Sequence, residues 1–179
     1  DIWYWLIPFS NGTSSIGVVG EDSHFQALHD AGSSSEDIQK HFIQEDTLLN
    51  EILGKAEYNR QPVQMMRGYS SSVTSLHGQG FALLGNAGEF LDPVFSSGIT
   101  IAMKSASLAA GVVDRHLRGE DVNWDKEFSE PLMIGVQTFR AFVESWYEGK
   151  LIDIFFTKTD QNDVIRQYLT SILAGYAWD

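Results

Sequence analysis

The alternation of apolar and polar positions predicts a β-hairpin at the start of the chain. Residues 2–8 combine aromatic and β-branched side chains, and residues 15–19 form a second short run rich in β-branched residues. Asn11-Gly12 lies between the two runs, and Asn-Gly is a dipeptide preferred in tight hairpin turns. The two runs are therefore expected to pair as antiparallel strands.

Apolar residues spaced three and four apart predict helices along much of the remaining chain. Helices are expected to begin near residue 35 and to cover about 47–55, 97–118, 124–147 and 163–174. Gly119 ends the long helix over 97–118, and Pro131 forces a kink or a late start in the helix over 124–147.

Three other segments give weaker patterns. Residues 21–35 are polar and small, which predicts a loop or a short irregular segment. Residues 63–73 mix alternation with serines and predict a strand. The apolar run 81–84, bounded by Gly80 and Gly85, predicts a strand buried on both faces. Hairpin strands together with long helices indicate an α+β fold.

Composition narrows the classes of partner. The 179 residues are 43% hydrophobic and 20% charged, as in ordinary globular chains, and the formal net charge is −12. Such an acidic surface repels phosphate backbones and anionic lipids, so no nucleic-acid partner is expected. With no cysteine there is no disulfide, thiolate metal site or cysteine nucleophile. The histidines show no metal-binding spacing, no transmembrane segment or signal peptide is visible, and a cytoplasmic location is expected.

The segment 80–100 carries most of the candidate chemistry. Gly85 and Gly88 leave room for a ligand to approach the backbone, and Asn86 offers an amide group for hydrogen bonding. The start of the long helix presents unpaired N–H groups that suit an anion, and the residues there are Ser96, Ser97 and Gly98. A purely structural turn is an equally valid interpretation of these residues alone.

The same segment resembles the second flavin-binding motif of FAD-dependent monooxygenases. In that motif Gly-Asp-Ala-Ala precedes Asp-Pro, and Ser-x-Gly opens a long helix of small residues. Asp-Pro-Val-Phe-Ser-Ser-Gly at 92–98 is most similar to the branch that contains flavin-dependent halogenases and geranylgeranyl reductases. Trp-Tyr-Trp-Leu-Ile-Pro at 3–8 is similar to the Trp-x-Trp-x-Ile-Pro motif of flavin-dependent halogenases, although Trp3 and Trp5 also suit simple packing on one face of a sheet.

The resemblance implies FAD as the cofactor and assigns residues to two sites. The implied cofactor-binding residues are Gly85, Asn86, Asp92, Pro93, Ser96, Ser97, Gly98 and Ile99. The implied substrate chamber is bordered by Trp3, Trp5 and Phe95. A small-residue stripe on the long helix would pack against the dinucleotide-binding half of a full enzyme, and it contains Ala102, Ala106, Ala109 and Ala110. No catalytic residue is assigned, because no region matches the one that holds the halogenase lysine.

Two positions depart from the family pattern. Asn86 stands where the family has Asp, which keeps hydrogen-bonding capacity but removes a charge beside the pyrophosphate. Phe95 stands where halogenases of free tryptophan resemble one another in having Glu. The resemblance therefore points to a small-molecule or carrier-bound substrate of aromatic, polyene or isoprenoid type, handled by a halogenase, monooxygenase, dehydrogenase or reductase.

The family's first FAD motif, Gly-x-Gly-x-x-Gly, is absent from the chain. We therefore expect a C-terminal fragment of a glutathione-reductase-like FAD/NAD(P)-binding fold that lacks the N-terminal dinucleotide-binding half. Such a fragment is expected to be inactive, to hold FAD weakly and to self-associate through surface meant to be covered. The expected parts are the tail of a substrate-domain sheet with two helices (1–75), the closing strand and helix of the FAD domain (76–119) and a helical region (120–179). The alternative function is a non-catalytic, stand-alone binding module.

Overall fold

A computed structural model of the chain describes residues 2–59, 62–156 and 162–178. The chain divides into two compact units, Asp1–Arg67 and Gly68–Asp179. The division expected from the resemblance, into 1–75, 76–119 and 120–179, concerns a longer enzyme and stays a prediction.

The first unit begins with the predicted hairpin. Strands β1 (Ile2–Pro8) and β2 (Ser14–Gly20) pair antiparallel, and Gly12 in the turn has φ +84°. Trp5 lies opposite Gly17, and a Cβ at position 17 would overlap the indole ring. Trp5 Nε1 also donates to Ser15 Oγ at 3.1 Å. Ser15 and Gly17 together therefore hold the indole against the neighbouring strand.

Three helices follow in the part of this unit that the structure describes: α1 (Asp22–Asp30), α2 (Ser35–Glu45) and α3 (Thr47–Leu53). Helices α2 and α3 were predicted, and each begins at a side-chain cap: Ser34 Oγ accepts from the Asp37 N–H, and Asp46 Oδ1 accepts from the Leu49 N–H.

The prediction of a loop over 21–35 is wrong, because α1 occupies most of it. The Phe25 ring of α1 packs edge-on against Phe42 of α2, with centroids 5.0 Å apart. This helix depends on a tertiary contact that the local polar pattern does not reveal.

The described residues of the second unit include four strands of two residues each. They are β3 (Ser71–Ser72), β4 (His77–Gly78), β5 (Phe81–Ala82) and β6 (Glu89–Phe90), and they pair antiparallel as β3–β6 and β4–β5. The predicted strand over 63–73 is wrong except at Ser71–Ser72. The predicted buried strand over 81–84 shrinks to β5, and the Phe81 side chain is 51% exposed. An apolar run becomes a buried strand only where other elements cover both faces, and the described part of this unit does not cover Phe81.

Three helices in the described part of the second unit follow the predicted pattern closely: α4 (Gly98–Leu117), α5 (Glu130–Tyr147) and a helix at Asn162–Leu173. Helix α6 (Lys150–Phe156) was not predicted, and the helix at Asn162–Leu173 is therefore α7. Gly119 follows α4 with φ +81°, and Pro131 lies in the first turn of α5, directly after a π-helical turn at Asp125–Ser129. Across the described residues, no helix is both long enough and apolar enough to cross a membrane.

Helices α4 and α5 contribute most of the core of this unit. Its buried hydrophobic residues are Leu76, Leu91, Ile101, Ala109, Val112, Phe128, Leu132, Val136, Phe139 and Ala177. The small-residue stripe of α4 is thus divided between two environments. Ala109 is buried in this core, so the prediction that it packs against another part of an enzyme is wrong, whereas Ala106 and Ala110 are exposed.

Candidate functional site

An open concavity in the second unit brings together residues from both ends of the predicted motif. Its volume is about 480 Å³, and it is lined by Leu84, Gly85, Asn86, Phe90, Gly98, Ile99 and Ala102. Four predicted cofactor-binding residues are among them, namely Gly85, Asn86, Gly98 and Ile99. Leu84, Phe90 and Ala102 were not predicted. All three lie within or next to the motif, so their proximity in sequence was the available signal.

Gly85 holds one wall of the concavity against α4. Its N–H donates to Ser105 Oγ at 3.0 Å, and the Ser105 hydroxyl donates to the Ala102 carbonyl at 2.8 Å. Gly85 has φ +51°, and a Cβ there would lie 3.0 Å from Ala102 Cβ. The glycine and the small residues of α4 are therefore required together for this close approach.

The N-terminus of α4 also lines the concavity. The first N–H groups of a helix have no intrahelical acceptor and carry the positive end of the helix dipole. Gly98 and Ile99 lie in this first turn, and the buried Ser97 side chain makes no capping hydrogen bond. A Cβ on Gly98 would meet only Asn86 Oδ1, at 3.9 Å, so the space beside Gly98 is open.

The lining combines an apolar surface with a few polar groups. Phe90, Leu84 and Ile99 provide the apolar part, and Ile99 is 76% exposed in this chain. Asn86 and the N–H groups of the α4 start provide the polar part. This donor set fits FAD, because a flavin offers an apolar ring face together with a polar edge that becomes negative on reduction.

The other predicted cofactor-binding residues form the connection from β6 to α4 and do not line the concavity. Pro93 opens a 3₁₀ turn, Pro93–Phe95, and is exposed. Ser96 follows in the left-handed region with φ +52°, a conformation that non-glycine residues adopt rarely and mainly at functional or tightly held positions. Asp92 is buried, and its Oδ1 accepts from the Val94 N–H at 3.0 Å.

Two tyrosines that the sequence did not single out as site residues reach the same aspartate. Tyr69 Oη and Tyr147 Oη each donate to Asp92 Oδ2 at 2.9 Å. Burial, and then the Asp92 carboxylate, raise the pKa of Tyr69. No local pattern could identify this pair, because the tyrosines lie 23 and 55 positions from Asp92.

An ion pair between the buried Glu89 and the partly exposed Arg140 connects β6 to α5 next to the same segment. Glu89 is buried, and its Oε2 accepts from Arg140 Nη2 of α5 at 2.7 Å. Burial raises the pKa of Glu89, while the Arg140 guanidinium opposes that rise. The pair joins β6 to α5, and neither residue was predicted to matter.

Phe95 belongs to an aromatic cluster with Phe142 and Trp146 of α5. The Phe95 ring is edge-on to both, at centroid distances of 5.7 Å and 6.0 Å. Trp3 and Trp5 lie in the first unit, with ring centroids 5.9 Å apart. The chamber role of Trp3, Trp5 and Phe95 stays a prediction.

A glycine turn, a helix N-terminus and an apolar wall that meet in one concavity are features of a site for a nucleotide-type cofactor. The sequence profile of the tryptophan halogenase family matches residues 2–177, and the chain belongs to this family. The predicted likeness to flavin-dependent halogenases is thereby confirmed, and FAD is the cofactor that membership implies.

The relatives cover most of this chain. The 1H-pyrrole-2-carbonyl-(peptidyl-carrier protein) chlorinase of Pseudomonas fluorescens is 26% identical over 178 residues, which are 97% of this chain and 37% of that protein. The tryptophan 2-halogenase of Chondromyces crocatus is 34% identical over 148 residues, which are 82% of this chain and 28% of that protein. The chain therefore spans well under half the length of these curated relatives.

Solved structures show the same fold. A flavoprotein/dehydrogenase from Cytophaga hutchinsonii has a TM-score of 0.88 and 43% identity, over 99% of this chain and 43% of that one. A flavin-dependent brominase has a TM-score of 0.79 and 24% identity, over 99% of this chain and 44% of that one. The helix-rich arrangement with small antiparallel sheets is thus a fold shared with flavoproteins and flavin-dependent halogenases.

Proposed function

We propose that the natural protein containing this chain is an FAD-dependent halogenase and that this chain supplies one side of its cofactor site. The proposal depends on the concavity, where the open N-terminus of α4 faces Asn86 and an exposed apolar wall. The rest of the site belongs to a dinucleotide-binding part of glutathione-reductase type outside this chain.

Each lining residue has a defined task in this proposal. The N–H groups of Gly98 and Ile99 hold the pyrimidine edge of the flavin and stabilise negative charge there. Gly85 and Asn86 lie against the ribityl and pyrophosphate part, while Phe90 excludes water from the ring face. When bound, FAD supplies two-electron chemistry toward oxygen or an organic substrate.

The substrate we propose is aromatic and either free or bound to a carrier protein. In the aromatic cluster Phe142 is buried, and the partly exposed rings of Phe95 and Trp146 suit an aromatic group. One relative is, by its name, a chlorinase of a pyrrole carried on a peptidyl-carrier protein. A polyene or isoprenoid chain is the alternative substrate for the same apolar surface.

A second candidate function is a flavin-dependent dehydrogenase or reductase. It is supported by the likeness to the flavoprotein/dehydrogenase, which at 43% identity is more similar to this chain than any of the three halogenases described above. In that case the same residues would hold FAD, which would supply hydride-transfer chemistry for the substrate.

Purification of the natural full-length protein, followed by absorbance and turnover measurements, tests both functions. Bound FAD and a product that forms only with chloride or bromide are expected. Bound FAD with turnover that is the same with and without halide would establish the dehydrogenase or reductase instead. A folded protein that takes up no FAD would contradict both and leave the non-catalytic binding module.

The exposed side of α4 underlies our proposal that the isolated chain self-associates. An apolar row, which we call the α4 row, runs along this side at spacings of four and three: Ile99, Met103, Ala106, Ala110, Val113 and Leu117. Leu117 is 79% exposed. A continuous apolar helix side of this kind is normally covered, in a longer protein by another segment and in the isolated chain by a second copy.

Light scattering checks this expectation. The isolated chain should have at least twice the mass of a single chain, and a double variant with Met103→Glu and Leu117→Glu should return toward the monomer. His116→Glu adds a charge to the same helix outside the α4 row and should change nothing. A monomeric unmodified chain would contradict the proposal.

A further inference from the structure

The connection between β6 and α4 is held by a single carboxylate. Both tyrosine hydroxyls donate to Asp92 Oδ2, which uses both lone pairs of that oxygen, and the Val94 N–H occupies Oδ1. Asp92 is 8% exposed. Its carboxylate is therefore engaged inside the chain, whereas the family resemblance implied a direct contact with the cofactor.

The two tyrosines link this carboxylate to both functional surfaces. The Tyr69 ring packs edge-on against Phe90, with centroids 6.0 Å apart, and Phe90 lines the concavity. Tyr147 follows Trp146 in the last turn of α5, and Trp146 contacts Phe95. One oxygen atom thus connects the concavity on one side with the aromatic cluster on the other.

The segment 93–96, which this carboxylate holds, has a backbone conformation that needs support from its surroundings. Pro93–Phe95 is a single 3₁₀ turn, and Ser96 after it has φ +52°. A strained residue keeps such a conformation only where its surroundings impose it. Burial and the carboxylate both raise the pKa of Tyr69, so its hydroxyl stays protonated and donating across the physiological range.

We propose that Tyr69, Asp92 and Tyr147 form a clamp that sets the orientation of Phe95 relative to the concavity. The three are positioning residues, because each acts through the 93–96 segment rather than by touching a reacting atom. The proposal rests on the function proposed above and deepens it. It assigns to three side chains the task of placing Phe95, a residue of the predicted substrate chamber, relative to the concavity.

The test uses Tyr69→Phe and Tyr147→Phe in the natural full-length protein, since each removes one hydroxyl and keeps the ring. Misplacement of reacting groups by a fraction of an ångström lowers kcat more than it alters ground-state binding. We expect kcat to fall on the order of 10- to 100-fold, with FAD still bound and KM nearly unchanged. Tyr168→Phe, at an exposed position in α7, is the matched control and should behave as the unmodified protein.

A spectroscopic measurement makes the test independent of turnover. Near-ultraviolet circular dichroism of the protein without FAD is compared in the tryptophan region, because removal of a tyrosine alters the tyrosine region by itself. The tryptophan signal should change in both clamp variants, because Phe95 and Trp146 change their mutual packing, and it should not change in Tyr168→Phe. Asp92→Asn should reproduce the effect of the tyrosine variants, and adding Tyr147→Phe to it should lower kcat by less than Tyr147→Phe does alone.

Several outcomes would overturn the clamp. One is a lower melting temperature with kcat unchanged below it, which indicates a structural role only. Another is a raised KM at constant kcat, which indicates direct substrate contact. If the unmodified protein binds no FAD, the proposed function fails. An unchanged tryptophan dichroism signal in the tyrosine variants would overturn the clamp separately.

Discussion

Replacing Gly98 with alanine is expected to weaken FAD binding by the natural full-length protein while leaving its fold intact. The added Cβ meets nothing closer than Asn86 Oδ1, at 3.9 Å, so the chain itself tolerates it. In the proposed site, the same methyl group stands where the cofactor approaches the backbone. An unrelieved overlap of this size costs about 1–3 kcal/mol, which corresponds to roughly 5- to 150-fold weaker binding.

The matched control lies in the same helix. Gly111 of α4 is exposed, and a Cβ there meets nothing within 4 Å. Gly111→Ala should leave FAD affinity unchanged and raise stability by roughly 0.5–1 kcal/mol, because alanine is the better helix former. Fluorescence titration with FAD and denaturant unfolding measure the two quantities. Equal FAD affinity in Gly98→Ala and Gly111→Ala would contradict the placement of the cofactor beside Gly98.

Arg140→Met is expected to destabilise the protein by about 3 kcal/mol at neutral pH, the lower end of the range for breaking a buried ion pair. The variant leaves Glu89, whose side chain is buried, without its cationic partner. The lower end applies because Arg140 itself is partly exposed and its removal leaves room for water to reach the carboxylate.

The stability lost in Arg140→Met should depend on pH in a defined direction. Burial already raises the pKa of Glu89 above its ordinary value in the folded protein, and removal of the guanidinium raises it further. A folded-state pKa above the unfolded one means that the folded state binds the proton more tightly. The contribution of Glu89 to stability is therefore fully present below its ordinary pKa and declines as pH rises through the raised value. Arg140→Met should lose less stability at acidic pH than at neutral pH.

Denaturant unfolding at the two pH values measures both effects. The double variant Glu89→Gln with Arg140→Met is the control, since it removes the charge that the single variant leaves uncompensated and should recover most of the stability at neutral pH. A destabilisation that is the same at both pH values would show that Arg140 does not lower the pKa of Glu89 in the folded protein.

Local sequence patterns predicted an element correctly where the residues that determine it lie close together in the sequence. The hairpin turn at Asn11-Gly12, the starts of α2 and α3 and the end of α4 at Gly119 were predicted, and the structure satisfies the backbone groups there within a few residues. The motif over 92–98 similarly indicated the helix start and its glycine. These features follow from backbone conformation and hydrogen bonding at short range.

Local sequence patterns gave wrong predictions where packing between residues that are distant in sequence determines the structure. The polar segment 21–35 contains α1 because Phe25 reaches Phe42, and the apolar run at 81–84 stays largely unpaired because the described unit does not cover it. Ala109 belongs to the small-residue stripe by sequence, yet the packing of α4 in the core of its own unit buries it there.

The amino-acid sequence was enough to identify the family, the cofactor that membership implies and four of the residues that line the concavity. The packing of the second unit was needed to find the groups that support this site: Ser105 under Gly85, Arg140 against Glu89, and two tyrosines on Asp92. The reason is physical. A motif records what a ligand needs from nearby backbone, whereas a buried carboxylate can be satisfied by any donor that the fold brings within about 3 Å, however far away it lies in the chain.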